Sequence, residues 1–234
     1  MADFTSRMVA LLGAMRRERN GAVADAMRYY GADYGLNYGV SLPTVRTLAR
    51  ACGRDHEFAR YLYAQEVREL RLAALHIAEP ERLTADEFAF WGGGICNSEV
   101  AEEAAFALLG RIDAFDELFR SWCNGGTLLE GYAAVMAAAR REDSLNHIDT
   151  AAAWLRRVAA SEEHSAARLA GRGVATSEEH SAARLAGRGV ATLFVACGSR
   201  NEENRLAVFR VTGSLGTSPA EDCVHEEVTA MLGE

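Results

Sequence analysis

The chain has 234 residues, 49% of them hydrophobic and 25% charged, enough apolar content to offset the ordering entropy of a packed core and to exclude disorder as its main state. Its formal net charge is −8, every basic side chain is Arg, and no apolar run approaches the roughly 20 residues a membrane span needs. Bulk charge therefore cannot hold it on nucleic acid, and no membrane is expected among its partners.

Helical spacing starts at once: Phe4, Met8, Leu11, Leu12 and Met15 recur at three- and four-residue intervals and predict a first helix ending in the polar run 16–20. Residues 22–30 predict a second, closed by Gly31. Ser41-Leu42-Pro43 reads as a helix start with Pro in the first turn, and Val45, Leu48, Ala49 and Cys52 form its buried stripe. Helices over 55–63 and 66–78 follow. Thr84 with Glu87, and Ser218 with Glu221, have the spacing of capping boxes. Further helices are expected over 98–110, 113–123, 127–141, 146–160, 201–213 and 219–232. Gly92-Gly93-Gly94 lacks the Lys and the spacing of a phosphate-binding loop and reads as an interhelical loop. No run alternates like a strand. The expected class is all-α, built from stacked helical hairpins rather than a four-helix bundle.

Residues 161–176 recur without change at 177–192. Solenoid repeats are usually longer and drift in sequence, so this identity points to a recent or deliberate tandem duplication, ahead of a functional repeat that binds something twice. Sixteen residues of continuous helix turn about 160° beyond whole turns, which would carry the second copy to the opposite face. The Gly-Arg-Gly runs at 171–173 and 187–189 are placed to break the helix and absorb the mismatch. One copy is expected to dock and the other to loop out or extend a helix.

Five cysteines at irregular spacing form neither a metal knuckle nor a disulfide framework, and Cys52, Cys96, Cys123 and Cys197 are expected to fill core among apolar neighbours. The six His residues show no HxxxH or HExxH spacing, so no metal and no cofactor are expected. The first residues lack the basic start and apolar stretch of a signal peptide, and reduced thiols fit a cytoplasmic protein. Residues 1–80 carry 11 Arg against 9 acids, whereas 81–234 carry 14 Arg against 24 acids. Any nucleic-acid contact is thus expected from a local Arg surface in the first third.

From Gly21 to Ile112 the chain resembles the DNA alkylation repair family, the AlkD-like HEAT-repeat DNA glycosylases. The resemblance is carried by Met27-Arg28-Tyr29-Tyr30, by Asn37-Tyr38-Gly39-Val40-Ser41-Leu42-Pro43-Thr44-Val45-Arg46, by Tyr61-Leu62-Tyr63 and by Val67-Arg68-Glu69-Leu70-Arg71-Leu72-Ala73-Ala74. It implies a HEAT-like, ARM-type superhelix of antiparallel hairpins, one domain over 1–234, with duplex DNA on its concave face. The family releases cationic alkylpurines, whose departure needs little acid catalysis but gains from a carboxylate beside the oxocarbenium-like sugar and a positioned water.

The family supplies that carboxylate from a Trp-Asp-x-x-Asp motif at a helix start, beside an Arg on a later helix. The matching stretch here is Ser98-Glu99-Val100-Ala101-Glu102, with Ser98 in place of the aromatic and Glu102 at the catalytic position. The longer Glu shifts the carboxylate by about an ångström, a displacement that can cost on the order of a hundredfold. The Trp that would hold a cationic base is absent, and the later Arg falls at Gly131-Tyr132, with Arg140 and Arg141 two turns on. Glu99, Glu102 and Glu103 also suit a helix first turn, where acids oppose the macrodipole and Asn97 or Ser98 caps.

Tyr30 matches the family's lesion-contacting aromatic, within a cluster of Tyr29, Tyr34 and Tyr38 that suits either stacking on a base or interhelical packing. Arg28, Arg46, Arg50, Arg68 and Arg71 are candidate phosphate contacts, although Arg68 and Arg71 flank Glu69 and suit pairing with acids. Ser98 and Glu99 complete the expected DNA-contacting set. The favoured reading is a DNA-binding member of the family with weak or no glycosylase activity. The alternatives are an active alkylpurine glycosylase using Glu102, and a non-catalytic scaffold for a protein partner.

Overall fold

The computed structural model describes residues 3–32, 34–170 and 179–233, and side chains within these outside 162–170 and 179–181. Among the described residues the chain is helical, with no strand beyond one isolated bridge between Leu36 and Val67. Packing divides it into two compact units, Met1–Phe115 and Asp116–Glu234. No described helix is long and apolar enough to cross a membrane.

The first unit holds α1 (Phe4–Arg17), α2 (Gly21–Tyr29), α3 (Leu42–Ala51), α4 (His56–Tyr63), α5 (Arg68–Ile77), α6 (Phe88–Gly93) and α7 (Ser98–Ala107). Short polar side chains start most of them: Asp3, Asn20, Ser41, Asp55 and Asn97 each accept a backbone N–H of the first turn. The expected start of α3 is borne out, with Ser41 as cap and Pro43 in the first turn. Helix α5 packs against α1, α3, α4 and α7. It is accordingly buried nearly all round, through Leu70, Leu72, Ala73, Ala74, Leu75 and Ile77. An extended segment before α3 lies beside the start of α5, where Leu36 exchanges backbone hydrogen bonds with Glu66 and Arg68 at 2.9 and 2.8 Å. Gly39 in that segment has φ +67°, and a Cβ there would overlap the Asn20 carbonyl.

Two local expectations need correcting. Thr84 makes no cap hydrogen bond; residues Ala85–Glu87 form a single 3-10 turn leading into α6. Gly92 and Gly93 are not loop but the end of α6, because burial of Phe88 and Trp91 continues the helix to them. Tyr63 fixes that end by donating its hydroxyl to the Trp91 carbonyl at 2.8 Å.

The second unit comprises α8 (Phe115–Gly125), α9 (Leu128–Ala138), α10 (Ile148–Ala170), α11 (Glu179–Gly198), α12 (Glu202–Thr212) and α13 (Pro219–Leu232). Ser218 and Glu221 form the expected capping box, and Thr127 forms another with Glu130. Helix α11 is the hub, packing against α9, α10, α12 and α13. The second copy of the duplication therefore docks, with Ala183, Ala186, Val190 and Ala191 in the core. Its Gly-Arg-Gly does not break the helix. Gly187 and Gly189 lie inside α11, where a Cβ would stand 2.5 Å from the Ala220 carbonyl oxygen and 2.9 Å from the Tyr132 ring, so the glycines set the helix spacing. The backbone of the first copy extends α10 to Ala170, and residues 171–178 lie outside the described ones. Of the cysteines expected in core, Cys123 and Cys197 are buried, Cys52 is half-buried and Cys96 is exposed, at the polar approach to α7.

Candidate nucleic-acid interface

The segment that the resemblance marks as catalytic is the start of α7. Asn97 caps it, its Oδ1 accepting Val100 N–H at 3.1 Å and the Tyr34 hydroxyl at 3.1 Å. Glu99, one residue past Ser98, accepts Arg68 Nε at 2.8 Å, and also bonds Arg68 Nη2 and the Tyr34 hydroxyl. Arg68 continues inward, donating to the Val40 carbonyl at 2.9 Å and to Glu69 Oε1 at 3.2 Å. Glu69 in turn accepts Tyr38 N–H and Val40 N–H at 3.1 and 3.2 Å. The side chains of Arg68 and Glu69 are 1% and 0% exposed. This is an ion triad, buried at Arg68 and Glu69 and half-buried at Glu99, that pins the 34–40 segment to α5 and α7. Burial works against the Arg68 charge, but the bonds to Glu99 outweigh it and raise its pKa. Burial and then the Glu99 charge push the Tyr34 phenol up, keeping it a neutral donor.

A second network lies one turn along α7. Glu103, 3% exposed, receives Arg46 Nε at 2.8 Å and Nη2 at 2.6 Å, and also bonds His76 Nε2. The Arg46 guanidinium lies 4.6 Å from the centre of the Phe106 ring. Burial opposes ionisation of Glu103, yet the Arg46 and His76 bonds hold its carboxyl down at about 2. A third group joins His56, Trp91 and Arg60 on Glu87, at 2.8, 3.0 and 3.0 Å.

The expected site residues thus separate. Arg68 and Glu99 are brought together, but as partners of one another. Arg46 is joined to Glu103, and Glu102 and Ser98 sit half-buried on α7. Arg71 is half-buried, its Nη1 3.4 Å from Cys96 Sγ and its Nε enclosed without a hydrogen-bond partner. Arg28 and Arg50 are exposed, Arg28 with one loose contact to Asp25 at 3.5 Å. Tyr29 and Tyr30 are 82% and 83% exposed and meet edge to face at 5.2 Å. Tyr34 leaves the expected aromatic cluster for the α7 network. At the position of the family's later Arg, a Cβ on Gly131 would overlap the Trp154 indole and Tyr132 is fully buried, so neither residue presents a cation there.

Sequence reasoning missed Tyr34, Asn97 and His76 as network members and treated Glu103 only as a first-turn acid. Their partners lie 27 to 65 residues away, beyond any helical or turn spacing. The one local signal was Arg68 beside Glu69, two opposite charges opening a helix whose later residues are mainly apolar.

No curated protein matches the chain. A solved structure described as a new family of proteins related to the HEAT-like repeat DNA glycosylases, with affinity for branched DNA structures, matches with a TM-score of 0.67 at 15% identity, over 99% of this chain and 96% of that one. That likeness gives the fold, the HEAT-like stack of helical hairpins expected above. The sequence model for the DNA alkylation repair enzyme matches residues 11–168, well over half of the chain and including every network just described. The chain belongs to the DNA alkylation repair enzyme family.

Proposed function

We propose that this protein binds DNA through exposed Arg and Tyr side chains of its first unit, favours branched or locally unpaired DNA over plain duplex, and has weak or no glycosylase activity. The observation that carries this reading is the division of the candidate residues. Glu99 and Glu103 are engaged by Arg68 and Arg46, whereas Arg28, Arg50, Tyr29 and Tyr30 face solvent. Exposed Arg side chains suit phosphate contacts, and an exposed pair of phenol rings suits stacking on a base no longer held in a helix. The structural relative's affinity for branched DNA supports the same choice of ligand.

Catalysis is poorly supported. An oxocarbenium-like sugar needs a carboxylate close by and a cradle for the departing base. Ser98 offers no aromatic face, and Gly131 and Tyr132 offer no cation. An active enzyme would use Glu102, which the sequence match puts at the catalytic position, and Glu102→Gln would then abolish release of 7-methylguanine from methylated duplex. The scaffold reading is favoured by one observation, the withdrawal of Arg46 and Arg68 into ion pairs in a chain of net charge −8.

The test is competition between a four-way junction and a duplex of equal length, together with base release from methylated duplex. The proposal expects tighter junction binding, lost on joint replacement of Tyr29 and Tyr30 by Ala, and little or no released base. Release that depends on Glu102 would restore the enzyme reading; absence of binding to either DNA would favour the scaffold.

A further inference from the structure

Independently of DNA, the second unit brings together three side chains with metal-ligating atoms. Asp116 lies in the first turn of α8, Asp143 precedes the single 3-10 turn Ser144–His147, and His147 ends that turn just before α10. One ligand atom from each lies within 4.8 Å of the others. The imidazole of His147, 5% exposed, directs Nε2 between the two carboxylates, 3.6 Å from Asp116 Oδ1 and 3.8 Å from Asp143 Oδ1.

These spacings have a chemical meaning. They exceed hydrogen-bond range, which ends near about 3.2 Å for N–H···O. Around a tetrahedral divalent ion with bonds of about 2.0–2.2 Å, neighbouring ligand atoms stand about 3.3–3.6 Å apart. The two His147 spacings are within a few tenths of an ångström of that range, and the carboxylate oxygens lie within 4.8 Å of one another, a gap that rotation of the exposed Asp116 side chain closes.

The surroundings fit as well. The Phe119 ring packs on the imidazole with centroids 4.6 Å apart, which fixes the ring's direction. Arg141 holds Asp143 through Nε to Oδ1 and Nη2 to Oδ2, both at 2.8 Å, and a carboxylate oxygen so bonded keeps a further lone pair for a metal. Asp116 is 69% exposed, so an ion has an entry path and water can complete its coordination.

We propose that Asp116, Asp143 and His147 form a site for a first-row divalent cation, with three protein ligands and the remaining positions open to water. One nitrogen and two carboxylate oxygens suit ions of the zinc, cobalt and manganese class rather than calcium. The ion would clip the start of α8 to the turn before α10. His147 and Asp143 are four apart in sequence, but the third ligand is 27 residues earlier, which is why no metal spacing is visible in the sequence.

The test is titration of the chelator-treated full chain with Co2+, followed by visible absorption and by thermal unfolding. The proposal expects one bound equivalent with d–d bands and no thiolate charge-transfer band, and a melting temperature raised by the ion. Asp116→Asn should weaken binding by about tenfold or more and abolish the thermal shift, and His147→Gln should remove the site. Because Asp116 is exposed, its variant will fold even if His147→Gln does not. Undiminished Co2+ binding in Asp116→Asn, a thiolate band, or no binding at about millimolar Co2+ would overturn the proposal.

Discussion

The two units are stabilised in different ways although both are helical. In the first, charge runs through the interior: Arg68 with Glu69 and Glu99, Arg46 with Glu103 and His76, and His56 with Glu87. In the second, helices close on small residues, with α9 burying Gly131, Ala133, Ala134, Ala137 and Ala138, and α11 bringing Gly187 and Gly189 against its neighbours. Buried ion pairs stabilise little in net terms but are costly to break, whereas close helix contacts are sensitive to a single added carbon. The contrast teaches that Arg and Glu in the first unit cannot be assumed to face a ligand. Those that face solvent, Arg28 and Arg50 among them, are the ones its core left over.

The largest effect should come from breaking the buried triad. Arg68→Ala leaves Glu69 and Glu99 without their cation and should destabilise the protein by about 3–5 kcal/mol, read from urea unfolding. A loss below about 1 kcal/mol would mean that the triad is not the anchor described here.

Acid should act on the second network. The Glu103 carboxyl is held well below its usual value of 4.5, at about 2, so its native form binds fewer protons than the unfolded chain. Its contribution is fully present above about pH 4.5 and is lost as pH falls toward 2, an effect of order 1–3 kcal/mol. Unfolding measured across that window should fall less steeply for Glu103→Gln than for the parent; parallel curves would remove Glu103 from the acid response.

The small-residue contacts give the matching test in the second unit. Gly187→Ala places a Cβ 2.5 Å from the backbone oxygen of Ala220, which cannot rotate away, and should cost about 1–3 kcal/mol. Unchanged stability would show that α11 and α13 can part without penalty. The smallest effects belong to the exposed cations. Arg28→Ala and Arg50→Ala should each leave the urea midpoint in place, weaken DNA binding a few-fold, and reduce the slope of log affinity against log salt by about 1. A variant that binds DNA as the parent does makes no phosphate contact.

Much of the fold was legible, because helix periodicity and caps are local. Ser41-Leu42-Pro43 and Ser218 with Glu221 announced their helices directly. Thr84 with Glu87 misled, since the spacing was right but the chain there makes only a 3-10 turn. Gly-Arg-Gly at 187–189 read as a break because propensity counts against Gly in a helix, while tertiary packing required the missing Cβ. The site was less legible. His76 acquires its partner only when α5 and α7 pack, and Tyr34 and Asn97 only when the segment before α3 meets the start of α7; nothing in their sequence neighbourhoods distinguishes a stacking Tyr from one bound to Glu99. Arg28 and Arg46 looked alike in the sequence; a Glu 57 residues from Arg46 separates them.

The most direct test of the account is binding of the intact protein to a four-way junction across a salt series, beginning at low ionic strength. The account predicts measurable affinity despite the −8 charge, falling linearly in log affinity against log salt as phosphate contacts are displaced. No binding at the lowest salt, where attraction to phosphate is strongest, would contradict it and leave a family-shaped scaffold whose partner is a protein.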